Sequence, residues 1–214
     1  MKKLTLLITF CSLTILSYAQ DFGRTLVSGS FSYSSGESEA DPSSEGHSFG
    51  LSPKVGWFVN PRLAVGAQMG YTNSKSKLTY SFEPYEMESK FNSFSTGPFV
   101  RAYQPVGEQF SFFAEASASY SQGKGTSFSS SRNEEYTSKT KGGNVSLSPG
   151  IVFFPSNQIG LELVFGRLGY SKSKAEYEGS DVTNKYSEFS ANFGLSNTSV
   201  GISFYLGRGA SEQQ

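Results

Sequence analysis

Every strand-like run in this sequence carries one face from which no water-soluble core can be built. In SPKVGWFVNPRLAVGAQMGY (Ser52 to Tyr71), two alternating runs flank an Asn60-Pro61-Arg62 turn. Strand side chains point alternately to opposite faces, so each run has a greasy face and a small or polar face. Along the chain the small face reads Ser28, Ser30, Ser32; Ser48, Gly50, Ser52, Lys54; Gly66, Gln68, Gly70; Ser95, Gly97, Arg101; Glu115, Ser117, Ser119; Asn144, Ser146, Ser148; Gly160, Glu162. A soluble barrel packed on that set would expose Val, Leu and Phe while burying charge. Turned inside out, the pattern is coherent. Val27, Phe31, Leu51, Val55, Val65, Phe94, Val100, Phe112, Leu147, Ile151, Leu161, Leu163 and Phe165 meet lipid, and the polar set fills a lumen.

The hairpin repeats. LSPGIVFFPSNQIGLELVFGRLGY (Leu147 to Tyr170) matches the first copy almost element for element, and TGPFVRAYQPVGEQFSFFAEASASY (Thr96 to Tyr120) is a looser copy between them. A spacing of about 45 to 50 residues suits a hairpin plus a long connection. Alternating runs predict eight strands, near 25–34, 48–58, 63–72, 92–103, 109–121, 144–154, 159–170 and 189–206. Their connections alternate strictly between short, proline-containing turns and long, charged segments rich in Ser and Gly. Short turns at one end and long loops at the other are the arrangement of an outer-membrane barrel. The expected fold is therefore all-β, an eight-stranded antiparallel up-and-down transmembrane β-barrel. Phase breaks predict bulges near Gly166-Arg167 and near residues 196–199.

Aromatic residues mark both rims. Tyr33, Tyr71, Tyr120 and Tyr170 end alternate strands beside the long loops, and Trp57, Tyr103, Phe154 and Phe204 lie at the opposite rim. They are expected to form two belts at the headgroup level.

The amino terminus has the layout of an export signal. Lys2 and Lys3 precede an apolar stretch from Leu4 to Leu16, and Ser17-Tyr18-Ala19 supplies small residues for cleavage before Gln20. The expected organisation is a cleaved signal peptide over 1–19, a barrel over 20–206 and a polar tail over 207–214. Cys11, the sole cysteine, falls in the removed segment, which excludes a disulfide framework or a thiolate metal site from the mature chain. Loss of the two lysines leaves 16 cationic against 18 anionic residues, a net charge of −2, and no basic field suited to nucleic acid.

The expected lumen charge network is Lys54, Gln68, Arg101, Glu115, Glu162 and Arg167. Such a cluster satisfies buried charge in a closed barrel, or else sets selectivity in a narrow channel for small solutes or ions. An eight-stranded barrel is wide enough only for its own side chains or one small ligand, which favours the filled lumen. His47, with Asp41, Ser43 and Ser44 nearby, is the one set from which a lipid-acting barrel enzyme would draw a triad. No nucleophile motif accompanies it, so no enzyme, catalytic residue, cofactor or metal is expected. Lys77 to Phe91 reads as a hairpin reaching beyond the membrane. Its Tyr80, Phe82 and Tyr85 form a candidate surface-binding loop for an extracellular protein or surface ligand, by strand addition.

With the phrases GPFVRAYQP, FSFFAEASASY and SVGISFYL, the chain resembles the small bacterial outer-membrane β-barrel family, of the OmpA and OmpX type. The resemblance covers nearly all of the mature chain. It implies location in the Gram-negative outer membrane, contact with its lipid, and insertion by the barrel-assembly machinery, which reads a final strand ending in an aromatic. Phe204-Tyr205-Leu206 fits that signal, although eight polar residues follow it. Members of that family are variously structural, adhesive or weakly pore-forming, and the expectation here is a monomer with a structural or surface-interaction role.

Overall fold

The computed structural model describes residues 24–80, 85–130, 134–179, 183–194 and 198–207. The expected leader (1–19), Phe82 and the tail beyond Gly207 lie outside these residues. Among the described residues ten antiparallel strands form where eight were expected: β1 (Thr25–Ser38), β2 (Ser43–Asn60), β3 (Leu63–Tyr80), β4 (Tyr85–Pro105), β5 (Phe110–Ser129), β6 (Glu134–Phe153), β7 (Ile159–Val164), β8 (Gly166–Tyr177), β9 (Thr183–Phe193) and β10 (Ser199–Leu206). The two additional strands arise because the last two crossings are each broken. β7 and β8 are successive pieces of one crossing, both paired to β6, and β9 and β10 are pieces of the next.

Register explains both breaks. Gly150 pairs with Val164 while Leu147 pairs with Leu168, so the β7–β8 crossing carries one extra residue beside Phe165. That extra residue is a β-bulge, and it restores the outward phase of Tyr170 after Leu161 and Leu163. Gly166 pairs with Phe193 and Val164 with Ser199, so the two ladders lie two positions apart on the β7–β8 crossing and six apart on the next. An insertion of that size ends β9 and restarts β10 with the same faces outward.

The ring runs β1–β2–β3–β4–β5–β6–β7–β10 and closes where β10 pairs with β1. Local turn chemistry sets the short end. Asn60 Oδ1 accepts from the Arg62 amide at 2.9 Å, and Val106 N donates to Phe110 O at 2.8 Å around Gly107, whose φ of +82° suits glycine. At the other end the segments expected as long loops are mostly strand. Tyr80 and Tyr85 are register partners, as are Ser129 and Glu134, so β3–β4 and β5–β6 stay paired nearly to their tips. β4 has 21 residues and β5 has 20, about twice the 9–11 that a tilted strand needs to cross a bilayer. The long-hairpin half therefore stands outside the membrane as a continuous sheet.

The outer face carries the expected apolar band, with Val27, Phe31, Leu51, Val55, Phe94, Val100, Phe112, Leu147, Leu161 and Leu163 all exposed. Inside the ring at the short-turn end sits a packed cluster of Leu26, Ala64, Phe99, Tyr103, Phe113, Val152, Phe154 and Tyr205, with Phe58 and Val164 against it. Burying a large apolar side chain contributes about 1.5–3 kcal/mol, so this plug is a real core within a barrel otherwise lined by polar groups. Space is made for its rings by glycine. A Cβ on Gly150 would lie 2.3 Å from the Phe113 ring, and one on Gly66 would lie 2.7 Å from Phe99.

Candidate functional site

The lumen has two storeys. On top of the aromatic plug lies a buried charge cluster. Arg101 and Glu115 are register partners on β4 and β5, and the Arg101 Nε and Nη2 donate to Glu115 Oε2 at 2.9 and 2.7 Å. The remaining Arg101 nitrogen, Nη1, donates to Glu162 Oε1 at 2.5 Å and to the Tyr103 hydroxyl at 3.3 Å. Lys54 on β2 pairs with the other Glu115 oxygen. Two cations thus meet two carboxylates, contributed by four different strands. The guanidinium also rests 4.4 Å from the Phe113 ring centroid, a cation–π contact that ties the cluster to the plug. Charges taken out of water need this density of partners, because an unpaired one costs several kcal/mol.

Above the cluster, toward the long hairpins, the lumen opens into a polar cavity of about 600 Å³. Ser30, Ser52, Ser95, Ser117, Ser119 and Ser148 contribute to its lining, together with the upper atoms of Lys54, Arg101, Glu115 and Glu162. Gln68 and Arg167 line the same cavity without joining the ion pairs of the cluster. Of the six residues expected as one lumen network, four are bonded together, and Gln68 and Arg167 stand apart in the wall.

The rim aromatics divide. Tyr33, Tyr71, Tyr120 and Tyr170 are exposed on the outer face beside the long hairpins, and Trp57 and Phe204 are exposed at the opposite rim. Tyr103 and Phe154, expected in that second belt, are instead buried in the plug at 3% and 4% exposure. The reason is strand parity. Tyr103 lies two residues beyond Arg101 and so shares its lumen face, where its hydroxyl meets that of Tyr205 at 3.2 Å. Phe154 follows Val152 on the inner face of the β6 crossing and packs edge-on against Tyr205, with centroids 5.1 Å apart.

His47 is not brought to the expected Ser and Asp partners. Its Nδ1 lies 3.0 Å from Ser35 Oγ on β1, and its Nε2 lies 3.1 Å from Glu45 Oε1. Ser43 donates to the Thr79 carbonyl at 3.3 Å instead. The Ser35–His47–Glu45 chain is exposed on the outer sheet surface, without the enclosed, water-excluded setting that makes such a chain catalytic.

The projecting hairpins carry a ladder of charge. Lys77 pairs with Glu86, Lys90 with Glu88, Lys139 with Glu178 and Lys174 with Glu176, all exposed at 2.5–2.9 Å. Hydrogen bonding from Lys139 holds the Glu178 carboxyl below its ordinary pKa, and Lys174 does the same for Glu176. Tyr80 is exposed near the β3 tip, and Tyr85 is its partner across the β3–β4 ladder.

A family model agrees with this architecture. The family described as "Outer membrane protein beta-barrel domain" matches residues 4–194. None of the curated proteins matches the sequence. Among solved structures, the transport unit of the autotransporter AIDA-I from Escherichia coli aligns with a TM-score of 0.47 at 12% identity, over 89% of this chain and 77% of that one. Neisserial surface protein A aligns at 0.40 and 14% identity, over 85% and 96%. Ail, the attachment invasion locus protein of Yersinia pestis, aligns at 0.36 and 14% identity, over 85% and 97%.

Proposed function

Because the chain belongs to the outer membrane protein β-barrel domain family, we propose that it is a monomeric surface scaffold whose projecting hairpins engage an extracellular protein or surface ligand. Its place is the bacterial outer membrane, with lipid against the apolar band. The observation that carries the reading is the height of the β3–β4 and β5–β6 hairpins. Roughly half of each is paired sheet beyond the tyrosine girdle, which a protein serving only to anchor itself does not need. Such a sheet offers exposed Tyr80, Phe128 and Tyr136, and aromatic side chains are enriched where proteins meet.

Insertion by the barrel-assembly machinery, with cleavage of the leader before Gln20, belongs to the same proposal. It is supported by the aromatic end of β10. The rival, a narrow channel, is opposed by the plug. Leu26, Val152 and Tyr205 are fully buried at the short-turn end of the lumen, where a conduit would have to pass.

The test compares expressing cells that carry the full chain with cells carrying a variant in which residues 75–90 are replaced by a short turn. Both are scored for heat-modifiable folding, for autoaggregation and for attachment to an epithelial monolayer. Attachment lost with folding intact supports the proposal, and equal attachment by both strains overturns it.

A further inference from the structure

Among the described residues, the barrel wall is incomplete on one side. β1 pairs with β2 along its whole length, Thr25–Ser38, but with β10 only over Thr25–Gly29. From Ser30 outward its second edge has no ladder partner among the described residues. β9, which would continue the wall there, pairs with β8 alone. A seam between β1 and β9 therefore runs from mid-barrel toward the long hairpins, on the side of the Tyr33 girdle.

Three independent features converge on that seam. The first is the cavity, whose lining reaches it through Ser30, Asn192, Ser199 and Gly201. The second is an uncompensated cation. Arg167 lines the cavity beside its register partner Asn192, and it makes no ion pair among the described residues. Glu188, the one carboxylate of β9, pairs in register with Ser171 and does not line the cavity. The third is the apolar surface outside. Phe31, Phe189, Phe193 and Val200 are 58–68% exposed, against 37–46% for Val55, Val100, Leu147 and Leu161 elsewhere in the band. Side chains there lack the cross-strand neighbour that covers part of each residue in a closed wall.

We propose that the seam is a lateral binding site for one anionic lipid of the outer leaflet, its head held in the lumen at Arg167 and Asn192 and its acyl chain lying across Phe31, Phe193 and Val200. A cation at the inner edge of a slit with apolar outer lips matches the two chemistries of such a molecule. A zwitterionic lipid gains only the apolar half. The inference goes beyond the hairpin-binding proposal and survives if that proposal fails.

Trp57 is the only tryptophan and lies at the far rim, so a reporter can be placed cleanly. The full mature chain with Trp57→Phe and Phe31→Trp is folded into phosphatidylcholine vesicles containing a minor fraction of brominated lipid, either phosphatidylglycerol or phosphatidylcholine. Folding is verified by the gel shift on boiling. Brominated phosphatidylglycerol should quench roughly two- to fivefold more effectively, the range an exposed ion pair supplies. Arg167→Gln should abolish that preference, and Arg167→Lys should retain it. Phe193→Trp in the same background provides a second reporter if position 31 does not tolerate the ring. Equal quenching by the two lipids at both positions would overturn the proposal, and so would an anionic preference that persists in Arg167→Gln.

Discussion

Arg101 and Glu115 face one another as register partners across β4 and β5, and two guanidinium nitrogens converge on a single carboxylate oxygen, Oε2. The other Glu115 oxygen is left to Lys54, and the third guanidinium nitrogen to Glu162. One arginine thereby locks together β2, β4, β5 and β7 across the lumen, at the level where the plug ends and the cavity begins.

Removing that arginine should be costly. Arg101→Ala leaves Glu115 and Glu162 facing each other with Lys54 as their only cation among the cluster residues. Breaking a buried pair by deleting one partner costs about 3–5 kcal/mol. Urea unfolding of the variant in lipid vesicles should show a loss of that order, and Arg101→Lys a smaller one. An unchanged midpoint for Arg101→Ala would falsify the view that the cluster secures the barrel.

The plug predicts electrical silence. Wild-type protein in a planar bilayer should give no steady conductance, because aromatic rings fill the lumen at the short-turn end. The double variant Tyr103→Ala, Tyr205→Ala removes the two hydroxyl-linked rings at its centre and should introduce discrete current steps. Steps of equal size in both proteins would show that ions bypass the plug.

Gly150 should tolerate no side chain. Its added Cβ would strike the Phe113 ring on which Arg101 rests, and overpacking of this kind costs about 1–3 kcal/mol. Gly36→Ala, with nothing within 4 Å of the added carbon, is the matched control and should leave the unfolding midpoint in place.

The hairpin charges should titrate as pairs. Glu178 is held below the ordinary carboxylate range by Lys139, and Lys139 is raised by Glu178. A depressed carboxylate adds stability above its unfolded pKa that is lost as pH falls through the folded value. A raised lysine adds stability below its unfolded pKa that is lost as pH rises through the folded one. The pair therefore contributes between the two unfolded values, about 4.3 and 10.4. NMR titration of the Glu178 carboxyl should give a midpoint below that of a free peptide, and Lys139→Ala should return it to the ordinary range. Because the pair is exposed, added salt should shrink the difference. A midpoint indifferent to both changes would refute the pairing.

Much of this was legible because period two is a strong constraint. Once Ser52, Lys54 and Gly66 are assigned to one face, the lipid-facing set follows, and out-of-phase Tyr170 locates the bulge that the structure places at Phe165. Tyr103 was misassigned by position along the strand, although its spacing from Arg101 already put it inside. The projecting sheet was legible in the hairpin from Lys77 to Phe91 and hidden elsewhere by composition. Stretches such as Gln122 to Ser129 and Glu134 to Gly143, dense in Ser, Gly and Lys, resemble loop by strand propensity, yet pairing with a neighbouring strand holds them extended. The charge cluster was visible as a set of residues but not as a network, since the Arg101–Glu162 bond joins residues 61 apart in sequence. The seam could not be read at all. Pairing of the first strand with the last crossing is the least local contact in the chain, and its stopping at Gly29 leaves no mark on either segment.

The short reach of the β1–β10 ladder has a mechanical consequence. A continuous ring of strands resists dilation as a hoop does, because widening it stretches every ladder bond at once. Among the described residues the hoop is closed only around the plug, and above it β8 and β9 form a leaf attached to β6. Resistance to dilation is therefore uneven along the axis, greatest at the base, where the described ladder closes through β1 and β10, and least at the mouth, where it ends at β1 and β9.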